Sequence, residues 1–168
     1  MKAIGEVSQE LKWVHPDVEK RYYELRAGEE IVATLEWDSP DGSVAIAKTS
    51  TGSWSLRRLG FLNPHVVALE TGSGSQVFRF DATMSGGGLA QASDGHHYRW
   101  YATLWRAEWG WMDTGGSELV KFHRSFDVDE KHEGNLDVLE KGRKVPQLDL
   151  LVTVGWYLII MVADMTVE

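Results

Sequence analysis

Between Tyr22 and Leu139, apolar and polar residues alternate with a period of two. In Glu30–Trp37 this puts Ile31, Ala33, Leu35 and Trp37 on one face. Trp54 and Leu56 share a face of Ser53–Leu59. Within Tyr98–Trp105, Tyr98, Trp100, Ala102 and Leu104 fall on one side, and Arg99, Tyr101, Thr103 and Trp105 on the other. Trp109 with Trp111, and Val120 with Phe122, continue the pattern. Successive strand side chains point to opposite faces, and β-branched and aromatic residues suit a pleated, half-buried surface, so each segment predicts a strand. At a usual strand length of roughly 5 residues, the region holds about eleven or twelve strands. None of it shows a helical period. Residues 1–20 leave a short helix and an N-terminal strand both open.

Polar glycine clusters punctuate these segments: Asp41-Gly42-Ser43, Ser50-Thr51-Gly52-Ser53, Thr71-Gly72-Ser73-Gly74-Ser75, Ser85-Gly86-Gly87-Gly88, Ser93-Asp94-Gly95 and Asp113-Thr114-Gly115-Gly116-Ser117. Such clusters make tight hairpin turns. The pattern changes after Pro146. Leu150–Ala163 is apolar almost throughout and carries no charge. Asp149 precedes the run as a candidate N-cap, and Asp164 closes it.

Three readings of the apolar run compete. A transmembrane helix needs about 20 apolar residues, more than this run supplies. A buried strand pair suits its Val, Ile, Tyr and Trp. A helix apolar on every side must be enclosed by protein, because a surface helix keeps a polar face. Many short antiparallel strands and one such helix fit together if the sheet closes and the helix fills its lumen. The predicted fold is therefore mainly β: a closed antiparallel β-barrel of about 12 strands enclosing a hydrophobic C-terminal α-helix. It forms one domain over 1–168, with 1–20 as an extension or first strand and 148–164 as the central helix. Gly155 would allow that helix to approach a strand closely. Leu158→Asp is expected to unfold the protein by placing a charge inside. The alternative is a lipocalin-like barrel of about eight strands with the helix packed outside, which calls for a polar stripe.

Several stretches are similar to the tubby-like C-terminal superfamily, which includes the LURP-one-related and phospholipid scramblase-like proteins. They are Tyr23-Glu24-Leu25-Arg26-Ala27-Gly28, Ile31-Val32-Ala33-Thr34-Leu35, and Gly52-Ser53-Trp54-Ser55-Leu56-Arg57-Arg58-Leu59-Gly60-Phe61. Asp94-Gly95-His96-His97-Tyr98-Arg99-Trp100, the cluster Trp105-Arg106-Ala107-Glu108-Trp109 and the apolar C-terminal segment complete the set. The resemblance covers about residues 20–165. It implies a closed twelve-strand barrel around a buried C-terminal helix, and no established enzyme activity. In tubby proteins a basic surface pocket binds phosphoinositide head groups. The acidic balance here departs from that, so no lipid-binding residue set carries over.

Composition narrows the chemistry. The absence of cysteine excludes disulfides, thiolate metal sites and a cysteine nucleophile. A net charge of −8 argues against nucleic acid as a partner, because such binders need a cationic footprint. No apolar signal segment opens the chain, which predicts a cytoplasmic location. Eight tryptophans offer an aromatic platform or, more simply, core packing. His96 and His97 are adjacent and would point to opposite strand faces, so no metal site is predicted. Ser85-Gly86-Gly87-Gly88 has no following Lys or helix to make a phosphate loop, and Asp127-Val128-Asp129-Glu130 with Glu133 does not complete a calcium loop. No catalytic set and no cofactor are predicted. Arginine offers a planar fork of donors to an anion, so Arg57, Arg58 and Lys144 are the candidate ligand-binding residues. The expected role is a non-enzymatic binding or interaction module for an unidentified protein or small molecule. A membrane-associated lipid-head-binding or scramblase-like protein, with weak membrane-surface association, and a lipocalin-like small-ligand carrier are the alternatives, and the sequence leaves the oligomeric state open.

Overall fold

The computed structural model describes residues 1–83, 86–103, 107–126 and 131–166. Leu104-Trp105-Arg106, Ser85 and the acidic stretch Asp127–Glu130 lie outside the described residues. Twelve strands follow one another: β1 (Leu11–Val14), β2 (Tyr22–Ala27), β3 (Glu30–Trp37), β4 (Ala45–Thr49), β5 (Ser53–Leu59), β6 (His65–Glu70), β7 (Gln76–Ala82), β8 (Gly88–Ala92), β9 (His97–Thr103), β10 (Glu108–Met112), β11 (Glu118–Phe126) and β12 (His132–Val138). Each pairs antiparallel with its neighbour in sequence. β1 also pairs with β12, with Leu11 opposite Leu136 and Trp13 opposite Gly134, so the sheet closes on itself. Closure leaves no unpaired strand edge. Residues 1–20 supply both elements left open by the sequence: a single 3₁₀ turn, Ile4–Glu6, and strand β1.

One expected face is wrong in detail. Ile31 does not join Ala33, Leu35 and Trp37 inside; Val32 is fully buried in its place and Ile31 is half-buried. The register passes from Leu25 opposite Ala33 to Arg26 opposite Ile31, so Val32 is the extra residue of a β-bulge. A bulge resets the alternation that a strict period of two assumes.

The chain ends in α1 (Leu148–Thr166). Leu151, Val152, Thr153, Val154, Trp156, Tyr157, Ile159 and Ile160 are essentially buried, and so are the inward residues of every strand. One cluster joins helix and wall: Trp13 stacks on Trp156, Trp37 stacks on Tyr157, and Tyr23 meets Trp37 and Trp156 edge-on. The helix thus lacks a polar face because protein surrounds it. Two buried hydrogen bonds tie polar groups along its first turns. The Thr153 hydroxyl donates to the Asp149 carbonyl at 2.8 Å, and Trp111 Nε1 donates to the Leu151 carbonyl at 2.8 Å. Twelve strands with the helix inside exclude the eight-strand lipocalin-like alternative. Among the described residues, no helix is long and apolar enough to cross a membrane.

The barrel has two unlike ends. At the end where α1 begins, polar contacts close the entrance. The Asp149 carboxylate accepts hydrogen bonds from the Thr49 and Thr51 hydroxyls of the β4–β5 turn. Asp149 is therefore not the N-cap, as it sits within the first helical turn and its carboxylate reaches across to the sheet. Gln147 accepts from the Tyr98 hydroxyl and donates to Asp94 at 2.6 Å. Arg143 donates to the Gly5 and Val7 carbonyls at 3.0 and 2.8 Å.

The backbone N–H of His96, the Gln147 amide and the His96 ring hold Asp94 at a pKa of about 2. A carboxyl depressed on folding contributes stability above its ordinary titration range, and that contribution is lost as the pH falls through the folded value. Asp94→Asn should melt below the wild type at pH 6, and the gap should close between about pH 4 and pH 2. Thermal melts across that range check it, and a gap that persists at pH 2 would remove this role.

Candidate functional site

The other end, where α1 finishes, is differently built on its two sides. On the β2–β4 side it is sealed by polar contacts. Arg21 donates to the Ser39, Pro40 and Gly42 carbonyls at 3.2, 3.0 and 2.8 Å, and its guanidinium lies 4.7 Å from the centre of the Trp37 ring. The Tyr157 hydroxyl donates to the Ser43 carbonyl at 2.5 Å. Burial pushes the Tyr157 pKa up to about 12, so the phenol keeps its proton and this bond at neutral pH. Together these groups tie the β3–β4 loop over one flank of the helix.

On the β5–β9 side the described residues leave the mouth open. A cleft of about 260 Å³ runs between the end of α1 and the strands. Tyr157, Leu158, Met161 and Val162 form its helix wall, and Val66, Phe80 and Trp100 are among the strand residues facing them. Arg58 and His65 stand at the rim. Leu158 is only half-buried here. The expectation that Leu158→Asp unfolds the protein is thereby corrected, because a carboxylate at this position reaches water through the cleft.

The loop between β5 and β6 borders this opening. Gly60 has φ +84°, and a Cβ there would lie 2.5 Å from the Asn63 carbonyl oxygen, so the turn requires glycine. The His65 ring donates from Nδ1 to the same carbonyl at 3.1 Å. The closed turn leaves Phe61 and Leu62 at its tip, 97% and 88% exposed. Leu59 and Val162 add further exposed apolar surface at the same end. Exposed apolar side chains gathered at one end make this the candidate site.

The three predicted ligand residues do not form one site. Arg58 lies on the same strand face as buried Leu56 and reaches the rim of the cleft. Arg57 points to the opposite face, where its Nε donates to the Ser55 hydroxyl at 3.2 Å. Lys144 is exposed in the 3₁₀ turn Gly142–Lys144, which leads into α1 at the closed end. Adjacent residues on a strand diverge, and the length of the barrel separates Lys144 from both arginines.

The described tryptophans are packing residues: Trp13, Trp37, Trp54, Trp100, Trp109, Trp111 and Trp156 are all buried. Of the outward aromatics, Tyr101 lies across Gly110, with its hydroxyl 3.3 Å from Glu118 and 3.4 Å from Glu108. His15 is a satisfied core histidine, donating from Nε2 to the Lys20 carbonyl and accepting the His132 backbone N–H at Nδ1. His96 sits in the β8–β9 turn with Nδ1 2.9 Å from Asp94. Among the described residues, no three His, Asp or Glu side chains gather as a metal site.

The Phe61–Leu62 tip and the cleft are missing from the sequence-based candidates. The tip did leave a signal. Leu59-Gly60-Phe61-Leu62-Asn63-Pro64 is a turn with apolar residues where the other turns carry Ser, Thr, Asp and Gly. The cleft left none, because its walls come from four strands, the loops beside them and the helix. In comparisons with known proteins, no family model, no curated protein and no solved structure matches the chain.

Proposed function

We propose that this protein is a non-enzymatic binding module on a tubby-like barrel, acting in the cytoplasm, with its binding site at the open mouth. The observation that carries this reading is the apolar cleft at the end of α1, with Arg58 at its rim and the exposed Phe61–Leu62 tip beside it. Apolar walls with few polar groups are the usual make-up of a binding cleft. The site takes an apolar group, and Arg58 is placed to meet an anionic end. The closed sheet, the filled lumen and the polar latch at the far end make a frame around that opening.

Anilinonaphthalene sulfonate, an aromatic ring system bearing one anion, is a suitable probe. Native protein at neutral pH should enhance its fluorescence with saturable binding. Ala82→Trp, at an exposed position on the cleft wall, should reduce that binding at least tenfold. Arg58→Ala should weaken it several-fold and shift the melting temperature by no more than about 2 °C, since exposed side chains usually contribute within ~0.5 kcal/mol. Fluorescence enhancement that is unaffected by Ala82→Trp would place the dye elsewhere and remove the reading.

A further inference from the structure

We propose that the mouth of the barrel binds a second copy of this chain, each Phe61–Leu62 tip seated in the apolar cleft of the other. This inference rests on the reading of the cleft as a binding site and names its occupant.

The patch carries both halves of a contact. Arg58, Pro64, His65 and Val66, which flank the tip in sequence, line the cleft. The tip does not fill its own cleft, because the Gly60 turn, closed on Asn63 and braced by His65, holds Phe61 and Leu62 out in solvent. A protrusion and a recess on one rim are self-complementary. A two-fold axis through the mouth brings each tip to the other copy's cleft, as a closed symmetric dimer requires.

Size supports the same occupant. About 260 Å³ falls below the roughly 300–1,000 Å³ of ordinary small-molecule pockets and suits one or two apolar side chains. Covering Phe61 and Leu62 of both copies at roughly 150–200 Å² each, with an equal area of wall, gives about 1,200–1,600 Å² in total. That is the lower range for a specific interface, so the dimer is reversible and concentration-dependent. Charge opposes it, since each copy carries −8. Salt screens that repulsion, so the dimer tightens as ionic strength rises. Attraction of Arg57 and Arg58 to an anionic lipid surface would weaken instead.

Sedimentation equilibrium over a wide concentration range, at low salt and at about 0.5 M salt, tests the proposal. The wild type should rise from the monomer mass towards twice that mass, at least threefold more tightly in high salt. Phe61→Asp removes the tip and Ala82→Trp fills the cleft. Each alone should weaken association at least tenfold while keeping the wild-type melting temperature. Mixed together, they restore one tip-in-cleft contact and should associate more tightly than either alone. A wild type that stays monomeric overturns the proposal, including one whose tip carries it onto phosphatidylcholine–phosphatidylserine vesicles at low salt. So does a dimer that survives both substitutions. Dye binding by the wild type separates the two claims: a wild type that stays monomeric at every concentration while its cleft takes the dye refutes the second copy and leaves the cleft as a binding site.

Discussion

Ile160→Asp should prevent the protein from folding. Ile160 is fully buried in the enclosed part of α1. The substitution loses the burial of a large aliphatic side chain, about 1.5–3 kcal/mol. It also sets a carboxyl without a partner in an apolar interior, which costs about 2–7 kcal/mol even if the group takes up a proton. The sum rivals the whole stability of a typical domain, about 5–15 kcal/mol. Circular dichroism should show no cooperative melt, or the chain should fail to accumulate in soluble form. Leu158→Asp is the matched control, with its carboxylate at the cleft, and should fold with a melting temperature within about 10 °C of wild type. Equal behaviour of the two variants would mean that the helix is not enclosed as described.

The second large effect is expected at Gly155. A Cβ added there would lie 2.4 and 2.6 Å from two ring carbons of Phe122 and 3.1 Å from Trp111 Nε1. Neither ring has room to retreat. Trp111 is fixed by its hydrogen bond to the Leu151 carbonyl, and Trp100 packs against both Trp111 and Phe122. Two effects oppose each other. A non-glycine residue improves helix propensity by up to about 1 kcal/mol. Overpacking a dense core costs about 1–3 kcal/mol, and valine adds two methyl groups beyond the Cβ. Packing wins: Gly155→Val should lose about 3 kcal/mol, a fall of roughly 6–12 °C in melting temperature for a chain of this size. Combining it with Phe122→Leu should recover part of the loss, because the two positions share one contact. A melting temperature at or above wild type would refute this account of the helix–strand approach.

Much of the architecture is legible residue by residue. The alternation of Trp54 with Leu56, or Tyr98 with Trp100, reports a strand with one buried face. The glycine clusters fall between strands, as at Thr51-Gly52 and Asp94-Gly95. The uncharged run Leu150–Ala163 demands enclosure, and a closed sheet is what can enclose it. Local departures are less readable. The Val32 bulge depends on the partner strand, and the part Asp149 plays depends on two threonines a hundred residues earlier in the chain.

The candidate site was legible only in fragments. Arg58 was named as a candidate and lies at the cleft rim, but its two companions do not, since two adjacent arginines look like one cluster in a sequence and point apart on a strand. Phe61 and Leu62 were visible as apolar residues in a turn, without any sign of what they stand beside.

The sequence by itself determined that this chain is a β-rich domain with a helix that cannot face water, because periodicity and the absence of charge act over a few neighbouring residues. Only the tertiary structure decided which end of the barrel is latched and which is open. The latch joins Asp149 to Thr49 and Gln147 to Asp94, and the cleft joins Phe80 to Leu158. Those pairings arise from how the closed sheet brings distant turns together around the helix, and local pattern carries no record of them.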